Sequence, residues 1–203
     1  STLKVAQPML AVAAEDFNKN QWTLNCLNGA LDLKEFKLTE HRREDLNTSL
    51  CPTPYDPEAK CPLWEKFLLE IMGGNAAVVT YLQKLAGYAL TGVIREHVLP
   101  IAYGSGANGK STFLKTLRKV MGPDYAAESA PDLLLTKDRN AHPTERAGLA
   151  GKRLVTTIEV EDGRHMAENL VKQLTGGDEI QVRRMRENFW ALEPTWKIFM
   201  ATN

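Results

Sequence analysis

A chain of 203 residues with 25 Lys+Arg against 25 Asp+Glu carries no formal net charge, which argues against a protein that coats nucleic acid or anionic membrane with its whole surface. Hydrophobic residues at 43% and charged residues at 25% sit near the globular average and exclude wholesale disorder. The length suits one or two domains with a real core. Three cysteines, Cys26, Cys51 and Cys61, are odd in number and lack C-x-x-C spacing, which fits neither a disulfide framework nor a four-ligand zinc site. Free thiols in a reducing cytosol are expected. No apolar run is long enough for a membrane span, and residues 1–14 are too weakly apolar for a signal peptide. Lacking an initiator Met and stopping on Asn203 after an apolar run, the chain is expected to be a piece of a longer protein.

In chain order, Trp22–Leu27 and Ala30–Leu33 are short alternating runs around Asn28-Gly29, a strong hairpin signal. Pro52, Pro54, Pro57 and Pro62 mark an extended loop. Pro62 suits the first turn of a helix that Leu63–Ile71 continues. Gly73-Gly74 stops it, and Asn75 can cap a second helix running toward Gly92. Beyond this the pattern becomes an α/β alternation. Val98–Tyr103 reads as a buried strand, with Pro100 counting against it. A glycine loop, a helix from about Lys110 to Met121 and a break at Gly122-Pro123-Asp124 follow. Then come a strand at Arg153–Ile158, a helix at Met166–Leu174, a hairpin-like stretch at Glu179–Trp190 and a strand at Trp196–Ala201. Short apolar strands separated by helices imply a largely parallel sheet, with its binding crevice at the carboxyl ends of the strands.

Gly104-Ser105-Gly106-Ala107-Asn108-Gly109-Lys110-Ser111 satisfies G-x-x-x-x-G-K-[ST] at every defined position. An apolar strand precedes it and a helix follows, which sets it apart from a glycine turn with an incidental lysine. Such glycines let backbone N–H groups curl around phosphates, and the helix N-terminus adds partial positive charge. Lys110 would reach the β- and γ-phosphates and the Ser111 hydroxyl would ligate Mg²⁺, with Thr112 near the α-phosphate. These residues predict an ATP-type triphosphate site. A carboxylate must complete the metal shell, and the strand ending at Ile158 delivers Glu159, with Glu161 two residues on and so on the same face. Glu159 is the expected principal acid; Glu161 and Asp162 read equally well as a solvated turn.

The motifs Gly104–Thr112, Gly151–Glu159, Leu170–Asp178 and Thr195–Asn203 resemble the successive motifs of superfamily 3 helicases, and more closely the phage and plasmid primase–helicase family related to the poxvirus primase–helicase. Leu27–Asp32, Tyr55-Asp56-Pro57, Trp64 and Leu85–Gly92 resemble the small domain preceding the ATPase in that family. The resemblance implies a small α+β domain over 1–95, then an α/β, AAA+-like P-loop NTPase core with a mostly parallel sheet over 96–203. It implies an ATP- and Mg²⁺-dependent DNA helicase that forms a homo-hexamer around one DNA strand and is joined to an upstream primase region. The setting would be the cytoplasm of a bacterial host, encoded by phage, plasmid or prophage.

Carried over by position, Lys110, Glu159 and Asn203 are the catalytic set. Gly104, Ser105, Gly106, Ala107, Asn108, Gly109, Lys110, Ser111 and Thr112 hold the nucleotide, and Ser111, Glu159 and Glu161 hold the metal. A hairpin bearing Arg183, Arg184 and Arg186 would contact DNA, a solvated charged turn being the other reading, and Lys172 reads equally well as a phosphate contact or a helix-face lysine. Phe189 and Trp190 either stack on bases or pack the hairpin base. The family's arginine finger lies downstream of the sensor Asn; Arg146 and Arg153 are candidate trans cations at non-matching positions. Two other readings stay open: an ATP-binding scaffold module without helicase activity, and a small-molecule kinase. His41, His97, His142 and His165 show no metal spacing and are expected at the surface or in caps.

Overall fold

The alternating runs near the amino terminus pair as an antiparallel hairpin, with its turn one residue earlier than Asn28-Gly29 suggests. In the computed structural model, which describes residues 11–135, 143–158 and 165–202, β1 (Thr23–Cys26) faces β2 (Gly29–Asp32) with Cys26 opposite Gly29. Leu27 and Asn28 therefore make the turn, and Gly29 opens the returning strand. Space demands glycine there, because a Cβ would lie 2.5 Å from the Thr39 carbonyl oxygen. Thr39 belongs to β3 (Lys37–Thr39), which pairs antiparallel with β2. Three residues are too few to show a period in the sequence. Asn28 serves a different purpose: its amide donates to the Tyr55 carbonyl at 2.9 Å and accepts from the Tyr55 N–H at 2.8 Å. That pair of bonds fastens the proline-rich loop to the hairpin.

Helix α1 (Pro62–Ile71) opens on Pro62, whose missing N–H would have no helical partner in the first turn. Gly73 and Gly74, at φ 59° and 80°, end it. Asn75 then caps α2 (Ala76–Leu90), its Oδ1 accepting from the N–H groups of Ala77 at 3.1 Å and Val78 at 3.2 Å.

The second half builds a four-stranded parallel sheet from β4 (Ile101–Tyr103), β5 (Ala126–Glu128), β6 (Leu154–Ile158) and β9 (Lys197–Thr202), in the order β4-β9-β6-β5. β6 and β9 occupy the middle and are almost wholly buried, which matches their continuous apolar runs. β4 departs from expectation. It is a three-residue edge strand with Ile101 49% and Tyr103 78% exposed, consistent with the preceding Pro100, which has no N–H for a ladder. The Pro100 carbonyl still accepts from the Met200 N–H at 2.9 Å.

Between β4 and β5 runs α3 (Lys110–Tyr125), interrupted at Gly122 (φ 75°, ψ 172°) before Pro123. The interruption has a packing cause as well as a propensity one, since a Cβ on Gly122 would meet Pro52 Cδ at 2.3 Å. The proline-rich loop crosses the helix there. Thr53 Oγ1 donates to the Val120 carbonyl at 2.8 Å, and the Leu50 N–H donates to Asp124 Oδ2 at 2.9 Å. The remaining elements are α4 (Pro143–Ala147), α5 (Glu168–Thr175) and an antiparallel pair, β7 (Ile180–Val182) with β8 (Trp190–Leu192).

Two apolar clusters hold this together. One joins Leu24, Leu31, Leu68 and Leu85 of the first ninety residues to Phe113, Leu114, Tyr125 and Phe199 of the second half. Each such side chain stabilises the fold by about 1.5–3 kcal/mol when fully buried. The other lies beneath α5 and the β7–β8 pair, around Leu174, Ile180, Val182, Trp196 and Ile198. Trp196, 1% exposed, also donates its indole N–H to the Leu174 carbonyl at 3.1 Å.

Two cations are buried where the halves meet, Arg153 at 5% and Lys197 at 4% exposure. Among the described residues neither pairs with a carboxylate. Arg153 donates to the carbonyls of Leu90 and Thr23, each at 2.7 Å, and lies over the Tyr125 ring at 4.6 Å. Burial lowers its pKa, with the Tyr125 phenol opposing the shift. Lys197 donates to the Thr91 carbonyl and to Thr91 Oγ1, the latter at 3.1 Å, with its ammonium 4.5 Å from the Tyr88 ring centre. Burial first, and the charge of Arg153 second, pull Lys197 down to about 7. Both cations thus cap the carboxyl end of α2. Arg153 is committed to that contact and does not serve as a trans cation.

Candidate functional site

The glycine loop leaves the carboxyl end of β4 and runs into the amino end of α3. Sheet register brings the other strand ends to the same level. Tyr103 pairs with Thr202, and Ile158 pairs with Ala201, so β4, β9 and β6 finish side by side. In a parallel sheet this edge is where a ligand crevice opens.

Within the loop, Gly104 (φ 150°), Ala107 (φ 61°) and Gly109 (φ 85°) have positive φ. Ala107 in the left-handed region is strained for a residue with a Cβ and locally inverts the chain, the geometry of an anion-binding nest. Glycine is required at two positions by close approach. A Cβ on Gly104 would meet Asn108 Nδ2 at 2.3 Å, and one on Gly109 would meet Ile71 Cγ2 at 2.6 Å. Gly109 gives α3 no side-chain cap, which suits a helix end whose first N–H groups are meant for an anion. The Lys110 ammonium turns back along the loop, donating to the Gly104 carbonyl and to the Ser105 carbonyl at 3.2 Å. Ser111 and Thr112 are exposed at the helix start.

The cleft over this loop has a volume of about 610 Å³, within the range of small-molecule sites. Loop residues 106–112 form one wall. The other is α1, through Phe67, Glu70 and Ile71. Sequence reading missed that wall, since α1 lies more than thirty residues upstream of the loop and nothing local marks its inner face. The cradle dimensions, the exposed hydroxyls and the lysine fit a nucleoside triphosphate with its Mg²⁺. Among the described residues no group of three or more His, Cys, Asp or Glu could hold a metal; Ser111 is the described candidate ligand at the cleft. Glu159, Glu161 and Asn203 lie outside the described residues, as does His142. β6 ends at Ile158, the residue before Glu159, and β9 at Thr202, the residue before Asn203.

The cationic stretch occupies the connection between β7 and β8. Arg184, Arg186, Met185 and Phe189 are exposed, and Arg183 is half-buried with its guanidinium 4.9 Å from the Phe189 ring centre. The two aromatics divide: Trp190 packs against the second core while Phe189 stays 54% exposed. Lys172 is exposed on α5. His41 Nδ1 lies 2.9 Å from Asn25 Oδ1. No helix among the described residues is long and apolar enough to cross a membrane.

A mixed α/β fold with a parallel central sheet, a glycine loop at its strand ends and a cationic hairpin is the class this geometry defines. Residues 102–203 match the family described as "Family of unknown function (DUF5906)", and residues 1–73 match "D5 N terminal like". The first of these matches spans half of the chain, which therefore belongs to that family. A protein of Acanthamoeba polyphaga mimivirus, "Putative helicase L207/L206", is 28% identical over 126 residues, covering 61% of this chain and 13% of that protein. Among solved structures, the apo form of the NrS-1 C-terminal region matches with a TM-score of 0.57 at 18% identity, over 71% of this chain and 34% of that one. Its A form matches with a TM-score of 0.57 at 17% identity and the same coverage. This likeness is one of fold. The chain spans about a third of the NrS-1 region and a smaller share of the mimivirus protein.

Proposed function

We propose that this chain is the ATP-dependent motor of a phage- or plasmid-type primase–helicase, an α/β P-loop NTPase core over 96–203 with a small α+β part before it. The supporting observation is the glycine loop, set between β4 and α3 at the level where β6 and β9 also end. In this reading the loop N–H groups and Lys110 hold the triphosphate, and Ser111 and Glu159 hold Mg²⁺ with Glu161 beside them. Bound Mg²⁺ would neutralise developing charge on the phosphates. Asn203, one residue past the end of β9, orients the attacking water through its amide. Lys110 must turn from its own loop carbonyls to the phosphates, an exchange a triphosphate favours because its oxygens are charged acceptors.

Arg183, Arg184 and Arg186, with Lys172, neutralise DNA phosphates without reading sequence. Exposed Phe189 offers a stacking face. Assembly as a homo-hexamer would place six copies of this hairpin around one strand, which gives a basic channel from neutral subunits. The test is ATPase activity of the full-length parent protein with and without single-stranded DNA, alongside Lys110→Ala and the triple Arg183/Arg184/Arg186→Ala variant. DNA stimulation lost in the triple variant and turnover lost in Lys110→Ala are expected. Turnover without any DNA stimulation of the wild type would refute the helicase reading, and Mg-ATP binding without turnover would leave a scaffold module.

A further inference from the structure

The cleft over the glycine loop has two walls of opposite chemistry, and the phosphates account for only one. Resting on the nucleotide reading above, we propose that α1 is the nucleoside-binding wall, with Phe67 stacking on the base and Glu70 accepting from the nucleoside's hydroxyl or amino hydrogens. Three observations support this. First, α1 touches the loop itself: the space where a Cβ of Gly109 would sit is 2.6 Å from Ile71 Cγ2 and 3.2 Å from two Phe67 ring carbons. A ligand lying along the loop must pass this helix.

Second, Phe67 is the outer member of an aromatic stack. Its ring lies 5.2 Å from Trp64 at 27°, and Trp64 lies 5.9 Å from the buried Phe113 of α3 at 5°. Phe67 is half-buried and lines the cleft, so a flat base would extend a stack already anchored in the core. Third, Glu70 is exposed and lines the same wall. A carboxylate there repels phosphate, so the triphosphate must run toward Lys110 with its uncharged, hydrogen-donating end against α1. The small part of the chain thereby supplies substrate contacts, which its sequence does not announce.

Titration calorimetry on the 203-residue chain separates the two walls, using Mg-ATP and inorganic Mg-tripolyphosphate as probes. The wild type is expected to bind ATP more tightly than tripolyphosphate. Phe67→Leu, which keeps an apolar contact with Gly109 but lacks a flat ring, is expected to weaken ATP binding about tenfold, in line with the loss of one base–aromatic stack. Glu70→Ala, at an exposed helical position, is expected to weaken ATP binding severalfold. Neither change should weaken tripolyphosphate binding, and Glu70→Ala should tighten it by removing a like charge. Lys110→Ala should weaken both probes. Equal affinity of the wild type for the two probes would overturn the proposal, as would ATP binding untouched by both α1 variants, while either result leaves the phosphate site standing. A wild type that binds neither probe refutes the nucleotide reading and this inference with it.

Discussion

Replacing Lys197 by Met removes a buried charge and leaves an unbranched stem of similar length in the same space. In the native chain this ammonium is 4% exposed, and its pKa falls from 10.5 to about 7 through burial and the nearby Arg153 charge. The unfolded chain holds the proton to near 10.5 while the folded chain releases it near 7. Between those values the unfolded state binds more protons, so stability rises with pH across that window and is lowest below it. At about 1.4 kcal/mol per pH unit the whole displacement is worth at most about 5 kcal/mol. Against this, Met forfeits the bonds to Thr91, a loss of about 1–3 kcal/mol that is nearly independent of pH. Lys197→Met should therefore be the more stable protein at pH 6.5 and close to level with the native one at pH 9.5, its advantage shrinking by about 3 kcal/mol over that interval. Urea unfolding followed by tryptophan fluorescence at several pH values measures both curves, and other titrating groups cancel in the difference. A gap between the two proteins that does not change with pH would refute the assignment of Lys197 as a buried, proton-shedding cation.

Gly109→Ala should cost about 1–3 kcal/mol, because its φ is 85° and the added carbon meets Ile71; it should also abolish the rise in melting temperature that the proposed nucleotide site predicts for the parent chain with Mg-ATP. Asn75→Ala removes the two bonds capping α2 and should lower stability by about 1 kcal/mol without changing nucleotide affinity, as thermal melts and calorimetry would show. The triple Arg183/Arg184/Arg186→Ala variant should lower the melting temperature by only a few degrees, since exposed loop changes such as those at Arg184 and Arg186 usually stay within about half a kcal/mol and half-buried Arg183 adds the loss of its contact with the Phe189 ring, worth about 0.5–1 kcal/mol. Its affinity for a single-stranded oligonucleotide, read by fluorescence anisotropy, should lose about two units of salt dependence, near 0.7 per phosphate contact.

Features governed by neighbours in sequence could be read ahead of the structure. Pro62, Gly73-Gly74 and Asn75 set the ends of α1 and α2 through backbone rules acting over a few residues. The parallel sheet followed from apolar runs spaced by helices, and the break in α3 from Gly122-Pro123. The hairpin turn was displaced by one residue because Gly29 answers to Thr39 across the sheet rather than to turn chemistry. Burial of β4 was overestimated because apolar composition does not say which strand lies at an edge. The loop wall of the cleft is one contiguous motif and therefore legible. Its second wall is not, since Phe67 and Glu70 meet the loop only through tertiary packing. Arg153 and Lys197 look like ordinary strand-end cations until the structure places both against the carbonyls that end α2.

Leu24, Leu31, Leu68 and Leu85 share one core with Phe113, Leu114, Tyr125 and Phe199, and that bears on how such a protein can be trimmed or recombined. A fragment begun near residue 96 would leave Phe113, Leu114 and Tyr125 with solvent where leucines had been, and would be expected to aggregate. Expression boundaries that respect the motif but divide the core would expose apolar surface that the first ninety residues cover. The same packing constrains gene shuffling: a second half acquired without its leading segment arrives with an open core. The two pieces are expected to travel together.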